Sequence, residues 1–128
     1  MSQPQHVLVI DDDPDSLAGM SELMTLWGYD AVCAWKGTAA LAAAGSQRPD
    51  LAILDLSLAD AFNVIQQLKA LGVTVIVFSG WKQAEVAARA AGADAFVLKP
   101  DLETLERVLA RRRGPVAARR PIAAKKSG

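Results

Sequence analysis

The chain has 128 residues, no net formal charge and 52% hydrophobic residues, which is enough for one domain with its own buried core. Its single cysteine excludes an internal disulfide, and no stretch approaches the roughly 20 apolar residues that a membrane-spanning helix needs. The first residues lack a signal-peptide pattern, so we expect a cytoplasmic protein.

Short apolar runs with the character of buried strands recur along the chain. A strand that is buried on both faces, as in a parallel sheet, has a continuous run of apolar and β-branched residues. Such runs occupy residues 6–10, 31–34, 51–54, 73–78 and 95–98. We therefore predict five strands of one parallel sheet.

A segment with helical character follows each predicted strand. The clearest is the first, where Asp13 is suited to cap a helix that begins at Pro14 and carries apolar residues at helical spacing as far as Trp27. The other helices are predicted before Gly45, over residues 63–70 and 84–91, and from Leu102 to a stop at Gly114-Pro115. This alternation of strands and helices predicts a doubly wound α/β fold.

Polar or charged side chains stand at the ends of four predicted strands. They are Asp11 and Asp12 after the first strand, Asp55 after the third, Ser79 after the fourth and Lys99 after the fifth. Right-handed crossovers bring the carboxyl ends of parallel strands to one edge of the sheet, where ligands bind. Crowded carboxylates need a cation, and oxygen ligands suit Mg²⁺. With a lysine and a hydroxyl beside them, they indicate a site that handles phosphoryl groups and in which one carboxylate could act as the nucleophile.

Taken in order, these motifs resemble the receiver domains of two-component response regulators. The matching segments are residues 9–14, 49–55, 79–80 and 91–100, and the resemblance covers residues 5–113. It implies a flavodoxin-like, three-layer fold in which a five-stranded parallel sheet of order 2-1-3-4-5 lies between five helices. It also implies a cytoplasmic phosphoprotein that is not an enzyme for other substrates, because it catalyses only its own phosphorylation and dephosphorylation.

The resemblance assigns a phosphoacceptor and a metal site. Asp55 would accept a phosphoryl group from a partner histidine kinase or phosphotransfer protein. Asp12, Asp55 and the backbone carbonyl of Ser57 would bind Mg²⁺ directly, and Asp11 would act mostly through water. The implied cofactor is therefore Mg²⁺.

The resemblance also assigns the residues of a switch. Lys99 would pair with Asp55 and then with the phosphoryl group, Ser79 would turn toward a phosphoryl oxygen, and Phe96 would follow as the switch aromatic. Pro100 resembles the cis-proline of the family. The output would be contact with a downstream protein, and a homodimer through the fourth helix, fifth strand and fifth helix is an open alternative.

The sequence departs from the family pattern between Asp55 and Ser79. Ala59 and Asn63 stand where the family usually has proline and glycine, and the interval is several residues short. These departures leave open a receiver-like interaction module that does not use phosphorylation. A phosphatase of the haloacid dehalogenase type is a more remote alternative, because residues 11–13 resemble its Asp-x-Asp motif but no late acidic pair is present.

Charge is distributed unevenly along the chain. All 14 acidic residues and seven of the 14 basic residues lie in residues 1–110, and the other seven basic residues lie in residues 111–128. We expect residues 114–128 to form a basic, disordered tail that follows the receiver domain. Without a DNA-binding domain or aromatic residues in this tail, we expect no nucleic-acid binding. We also expect Cys33 and Trp35 to pack in the core and Asp94 to be a surface carboxylate.

Overall fold

A computed structural model describes the backbone of residues 5–119 and the side chains of residues 5–112. Its five strands form one parallel sheet in the order β2-β1-β3-β4-β5. The strands are β1 (His6–Ile10), β2 (Asp30–Ala34), β3 (Leu51–Leu54), β4 (Thr74–Ser79) and β5 (Ala95–Leu98). The predicted fold class and strand order are confirmed.

Helices cover both faces of the sheet. They are α1 (Pro14–Leu26), α2 (Gly37–Gln47), α3 (Ala61–Ala70), α4 (Glu85–Ala91), which a 3-10 turn (Lys82–Ala84) precedes, and α5 (Leu102–Arg119). Apolar side chains of α1 and α5 pack on one face, and those of α2, α3 and α4 pack on the other. None of the helices in the described residues is long and apolar enough to cross a membrane.

The core has two halves because successive side chains of a strand point to opposite faces of the sheet. In β1, Val7 and Val9 pack toward α1 and α5, whereas Leu8 and Ile10 pack toward the other three helices. All four side chains are at most 2% exposed. The central strands are therefore held from both sides, and their carboxyl ends are fixed in position.

The last helix continues beyond its predicted end. We expected a stop at Gly114-Pro115, but α5 extends to Arg119. Alanine and arginine favour a helix, and a proline removes one backbone hydrogen bond without always ending the helix. The expected tail therefore begins with a helical segment, and its residues 120–128 lie outside the described residues.

Two residues that we expected in the core lie at the surface. Cys33 is exposed, and the side chain of Trp35 is 63% exposed. The reason is the position of β2, which lies at the edge of the sheet and has a neighbouring strand on one side only. Apolar residues of an edge strand receive less cover than those of a central strand.

Asp94 is a structural residue and not the surface carboxylate that we expected. Its Oδ2 accepts hydrogen bonds from Lys69 Nζ at 2.7 Å and from the backbone N–H of Val75 at 2.8 Å. Its own backbone N–H donates to the carbonyl of Val75 at 2.8 Å. The carboxylate thus joins the end of α3 to β4 directly before β5 begins.

The Asp94 contact predicts a difference between two substitutions. Asp94→Ala leaves the buried N–H of Val75 without its acceptor, so we expect the free energy of unfolding to fall by about 1–3 kcal/mol. Asp94→Asn keeps an acceptor oxygen and should lose less. Urea denaturation measures both, with Lys69→Met as the variant that removes the ion pair alone. A loss in Asp94→Ala no larger than that in Lys69→Met would contradict the assigned role.

Candidate functional site

The ends of four strands converge at one edge of the sheet. The backbone N–H of Asp55 donates to the carbonyl of Ile10 at 3.0 Å, and the N–H of Lys99 donates to the carbonyl of Ser79 at 2.9 Å. These bonds continue the pairing of the strands by one residue. The polar residues that follow the strands are therefore placed by the sheet itself.

Two of the three consecutive aspartates hold the turn between β1 and α1. Asp11 Oδ1 accepts a hydrogen bond from the backbone N–H of Asp13 at 2.9 Å. Asp13 Oδ2 accepts from the N–H and the Oγ of Ser16, at 3.0 and 2.7 Å, and so caps α1 as predicted. The carboxylate of Asp12 is left to face the end of β3.

Ser57 joins the carboxylates of Asp12 and Asp55. Its Oγ donates to Asp12 Oδ1 at 2.9 Å, and its backbone N–H donates to Asp55 Oδ1 at 2.9 Å. From the sequence we expected only the backbone carbonyl of Ser57 at the site, and the role of its hydroxyl was not predicted. The bond from the Ser57 N–H is the Asx turn typical of aspartate, but the hydroxyl bond to Asp12 spans 45 residues and has no local signal in the sequence.

Lys99 supplies the positive charge at the centre of the site. Its ammonium donates a hydrogen bond to Asp55 Oδ2 and lies 4.0 Å from Asp11 Oδ2. It also lies 5.7 Å from the centroid of the Phe78 ring. The peptide bond between Lys99 and Pro100 is cis, as the resemblance implies. One cation therefore faces two carboxylates and an aromatic ring.

The pKa values of the two partly buried carboxyl groups, Asp11 and Asp55, shift in opposite directions. Burial raises the pKa of Asp55, but the hydrogen bonds from Lys99 and Ser57 and the charge of Lys99 together lower it more, so its pKa lies below the ordinary value. Burial raises the pKa of Asp11 above its ordinary value, and the negative charge of Asp55 adds to this rise. The ionised form is therefore favoured at Asp55, where a nucleophile is expected.

Ser79 lines the same cavity as Asp55, but its hydroxyl bonds to Trp81 and not to Asp55. Its side chain is buried, and its Oγ accepts a hydrogen bond from the backbone N–H of Trp81 at 3.0 Å. Ser79, Asp55, Ser57 and Trp81 are among the residues that line one cavity of about 210 Å³. Phe96 is half-buried on β5 and packs against the core that faces α2, α3 and α4. The six predicted polar residues therefore lie at one edge of the sheet, namely Asp11, Asp12, Asp55, Ser57, Ser79 and Lys99, and Phe96 lies on β5 beside β4.

The donor set fits Mg²⁺ that is held by two carboxylates. Among the described residues, no three side chains of histidine, cysteine, aspartate or glutamate are grouped to hold a metal ion. Asp11 is instead bonded within its turn. Mg²⁺ is commonly held by one or two carboxylates, and water completes its shell. Asp12 and Asp55, whose carboxylates both accept a hydrogen bond from Ser57, fit that chemistry.

A family model and two related proteins agree with this geometry. Residues 7–110 match the model of the response regulator receiver domain. The transcriptional regulatory protein PrrA of Mycobacterium tuberculosis is 36% identical over 122 residues, which are 88% of this chain and 52% of PrrA. KdpE of the same organism is 41% identical over 99 residues, which are 73% of this chain and 44% of KdpE. The chain thus spans about half the length of the curated relatives it matches.

Solved structures of receiver domains share the fold. A CheY-like receiver domain from Methylobacillus flagellatus is 26% identical, with a TM-score of 0.77 over 86% of this chain and 99% of its own. A CheY-like receiver domain protein from Methanospirillum hungatei is 24% identical, with a TM-score of 0.76 over 88% of this chain and 99% of its own, and it supports the fold alone. The family match favours the receiver interpretation over the phosphatase alternative.

The contact between Lys99 and Asp55 predicts the effect of removing the ammonium. Lys99→Met takes away a hydrogen bond and a positive charge that lower the pKa of Asp55, so we expect this pKa to rise. A carboxyl group with a lowered pKa in the folded state stabilises the fold above its unfolded pKa, and this contribution is lost as the pH falls through its folded pKa. The variant should therefore lose part of that stabilisation above the unfolded pKa.

The measurement is a carbon-13 NMR titration of the aspartate carboxyl groups, with an acid unfolding curve beside it. Lys82→Met is the matched control, because Lys82 is an exposed lysine in the 3-10 turn. An unchanged pKa of Asp55 in Lys99→Met would show that the ammonium does not bond this carboxylate in solution.

Proposed function

Because the chain belongs to the response regulator receiver family, we propose that Asp55 is its phosphoacceptor and that the donor is a phosphohistidine on a partner kinase or phosphotransfer protein. Receiver domains are the components of two-component systems that histidine kinases phosphorylate. The observation that carries the proposal is the pair of contacts to Asp55. Its two carboxylate oxygens accept hydrogen bonds from the Lys99 ammonium and from the Ser57 N–H, beside Asp12.

These contacts suit the transfer of a phosphoryl group. An oxygen of the ionised Asp55 attacks phosphorus, the new oxygen–phosphorus bond forms, and the phosphorus–nitrogen bond of phosphohistidine breaks. The electron pair of that bond stays on the imidazole nitrogen. The Lys99 ammonium, which neutralises the free carboxylate, then faces the phosphoryl oxygens and stabilises their charge. Catalysis of this kind serves only the modification of the chain itself.

The proposed metal ligands are Asp12, Asp55 and the backbone carbonyl of Ser57, with Asp11 acting through water. Bound Mg²⁺ would neutralise charge on the phosphoryl oxygens. Asp12 suits the role of a metal ligand because its Oδ1 accepts a hydrogen bond from the hydroxyl of Ser57, whose N–H donates to Asp55.

We further propose that phosphorylation moves Ser79 and Phe96. The Ser79 Oγ accepts from the Trp81 N–H, so a turn of this hydroxyl toward a phosphoryl oxygen would change the loop before α4. Phe96 pairs with Val77 in the register of β4 and β5, two residues before Ser79. Phosphorylation would thus bias two arrangements of one surface. Val86 in α4 is 81% exposed, and we propose that the surface of α4, β5 and α5 contacts a downstream protein or a second copy.

The proposal covers the receiver step alone. PrrA and KdpE are named as transcriptional regulatory proteins, and this chain covers about half of each, so the role in their names is not assigned to this chain. We propose a cytoplasmic location, since histidine kinases draw their phosphoryl groups from intracellular ATP.

Phosphorylation of Asp55 is tested with acetyl phosphate and MgCl₂. We expect the wild-type chain to gain the mass of one phosphoryl group and Asp55→Asn to gain none, as measured by mass spectrometry of the intact protein. Asp60→Asn is the matched control, because Asp60 is an exposed aspartate at φ 59°, a conformation that asparagine tolerates. A wild-type chain that stays unmodified, or an Asp55→Asn chain that still gains the mass, would overturn the proposal.

The metal assignment predicts the effect of losing one carboxylate. We expect Asp12→Ala to weaken Mg²⁺ binding at least about tenfold, because one of the two charged ligands is gone. Isothermal titration calorimetry with MgCl₂ measures this affinity, and Asp15→Ala, at an exposed residue of α1, serves as the control. Equal Mg²⁺ affinities of Asp12→Ala and the wild type would remove Asp12 from the ligand set.

A further inference from the structure

We propose that Phe78 is a positioning residue, and that its ring holds the Lys99 ammonium where it serves Asp55. The inference rests on the proposed function, because it concerns how that site keeps its lysine in place. Phe78 directly precedes Ser79 in β4, so the two side chains point to opposite faces of the sheet. Ser79 lines the cavity beside Asp55, and Phe78 packs into the core that faces α1 and α5.

The sheet register places Lys99 beside this ring. Phe78 pairs with Val97, and Ser79 pairs with Leu98. The N–H of Lys99 donates to the carbonyl of Ser79, which brings the lysine level with the end of β4. The distance of 5.7 Å between Lys99 Nζ and the ring centroid is within the reach of about 6 Å for a cation over an aromatic face.

An open space beside the lysine makes such a contact useful. A cavity of about 330 Å³ lies between α1 and the start of α5, and its lining includes Lys99, Phe78, Met20 and Leu23. Asp11 and Asp55 line one part of this space, so the stem of Lys99 has room to move from them toward its apolar part, where Met20 and Leu23 lie. A flexible four-carbon side chain uses such freedom unless something attracts its charge.

The ring has a property that the carboxylates lack. A hydrogen bond to Asp55 fixes the ammonium in one direction, whereas the attraction of an aromatic face for a cation is spread over the face of the ring. In the proposed reaction, Lys99 moves from the Asp55 oxygen to a phosphoryl oxygen. The Phe78 ring continues to attract the ammonium during this movement and so keeps it beside Asp55.

The reaction rate of two substitutions tests the role. Phe78→Leu keeps an apolar side chain without an aromatic face, and we expect its rate constant for phosphorylation by acetyl phosphate to fall about threefold to tenfold. Phe78→Tyr keeps the ring, so its rate constant should stay within about twofold of the wild type. Ile53→Val is the packing control, since Ile53 lines the same cavity and belongs to the same core. If Phe78→Leu does not fold, Phe78→Met supports the same comparison.

A spectroscopic measurement separates positioning from packing. A proton above an aromatic ring has a shifted resonance, so the Lys99 ε-methylene protons should be shifted in the wild type and in Phe78→Tyr. They should move toward the value for a free lysine in Phe78→Leu but not in Ile53→Val. This measurement needs no phosphoryl transfer, so an unreactive wild type would refute the proposed function and leave the positioning of Lys99 to be decided by NMR.

Two results would overturn the inference. One is a Lys99 resonance in Phe78→Leu that matches the wild type. The other is a rate loss in Phe78→Tyr as large as that in Phe78→Leu, because the aromatic face would then be irrelevant.

Discussion

The ion pair between Lys99 and Asp55 is the interaction on which the site depends. A partly buried carboxyl group tends to take up a proton, and burial does raise the pKa of both Asp55 and Asp11. Lys99 donates to Asp55 but stays 4.0 Å from Asp11 Oδ2. This unequal sharing of one cation favours the ionised form of Asp55, which the proposed reaction requires.

The parallel sheet fixes the relative positions of Lys99 and Asp55. Asp55 and Lys99 follow β3 and β5, which are separated by β4, and each has its backbone N–H bonded to the strand beside it. The site therefore inherits its geometry from the backbone pairing of the core strands. Short, flexible connections alone would not fix three strand ends with this accuracy, since each loop residue has its own freedom.

The residues of the site could be predicted from the sequence because they stand at strand ends. Leu51–Leu54 and Ala95–Leu98 are apolar runs, and the charged residue after each run has one place to go in a parallel sheet. The same pattern does not reveal side-chain contacts between residues that are far apart in the sequence. The Ser57 hydroxyl, the bonds from Asp94 to Lys69 and Val75, and the Phe78 ring near Lys99 arise from tertiary packing. Exposure at the edge of the sheet likewise depends on neighbours that no local pattern reveals.

The central claim is that Asp55 becomes an acyl phosphate. Borohydride reduces an aspartyl phosphate to homoserine but leaves a serine phosphate intact, so reduction followed by peptide sequencing in the mass spectrometer locates the modified residue. After incubation with the phosphodonor and Mg²⁺, the account predicts homoserine at position 55. Homoserine at position 11 or 12, or a phosphoryl group that survives reduction on Ser79 or Ser57, would contradict it.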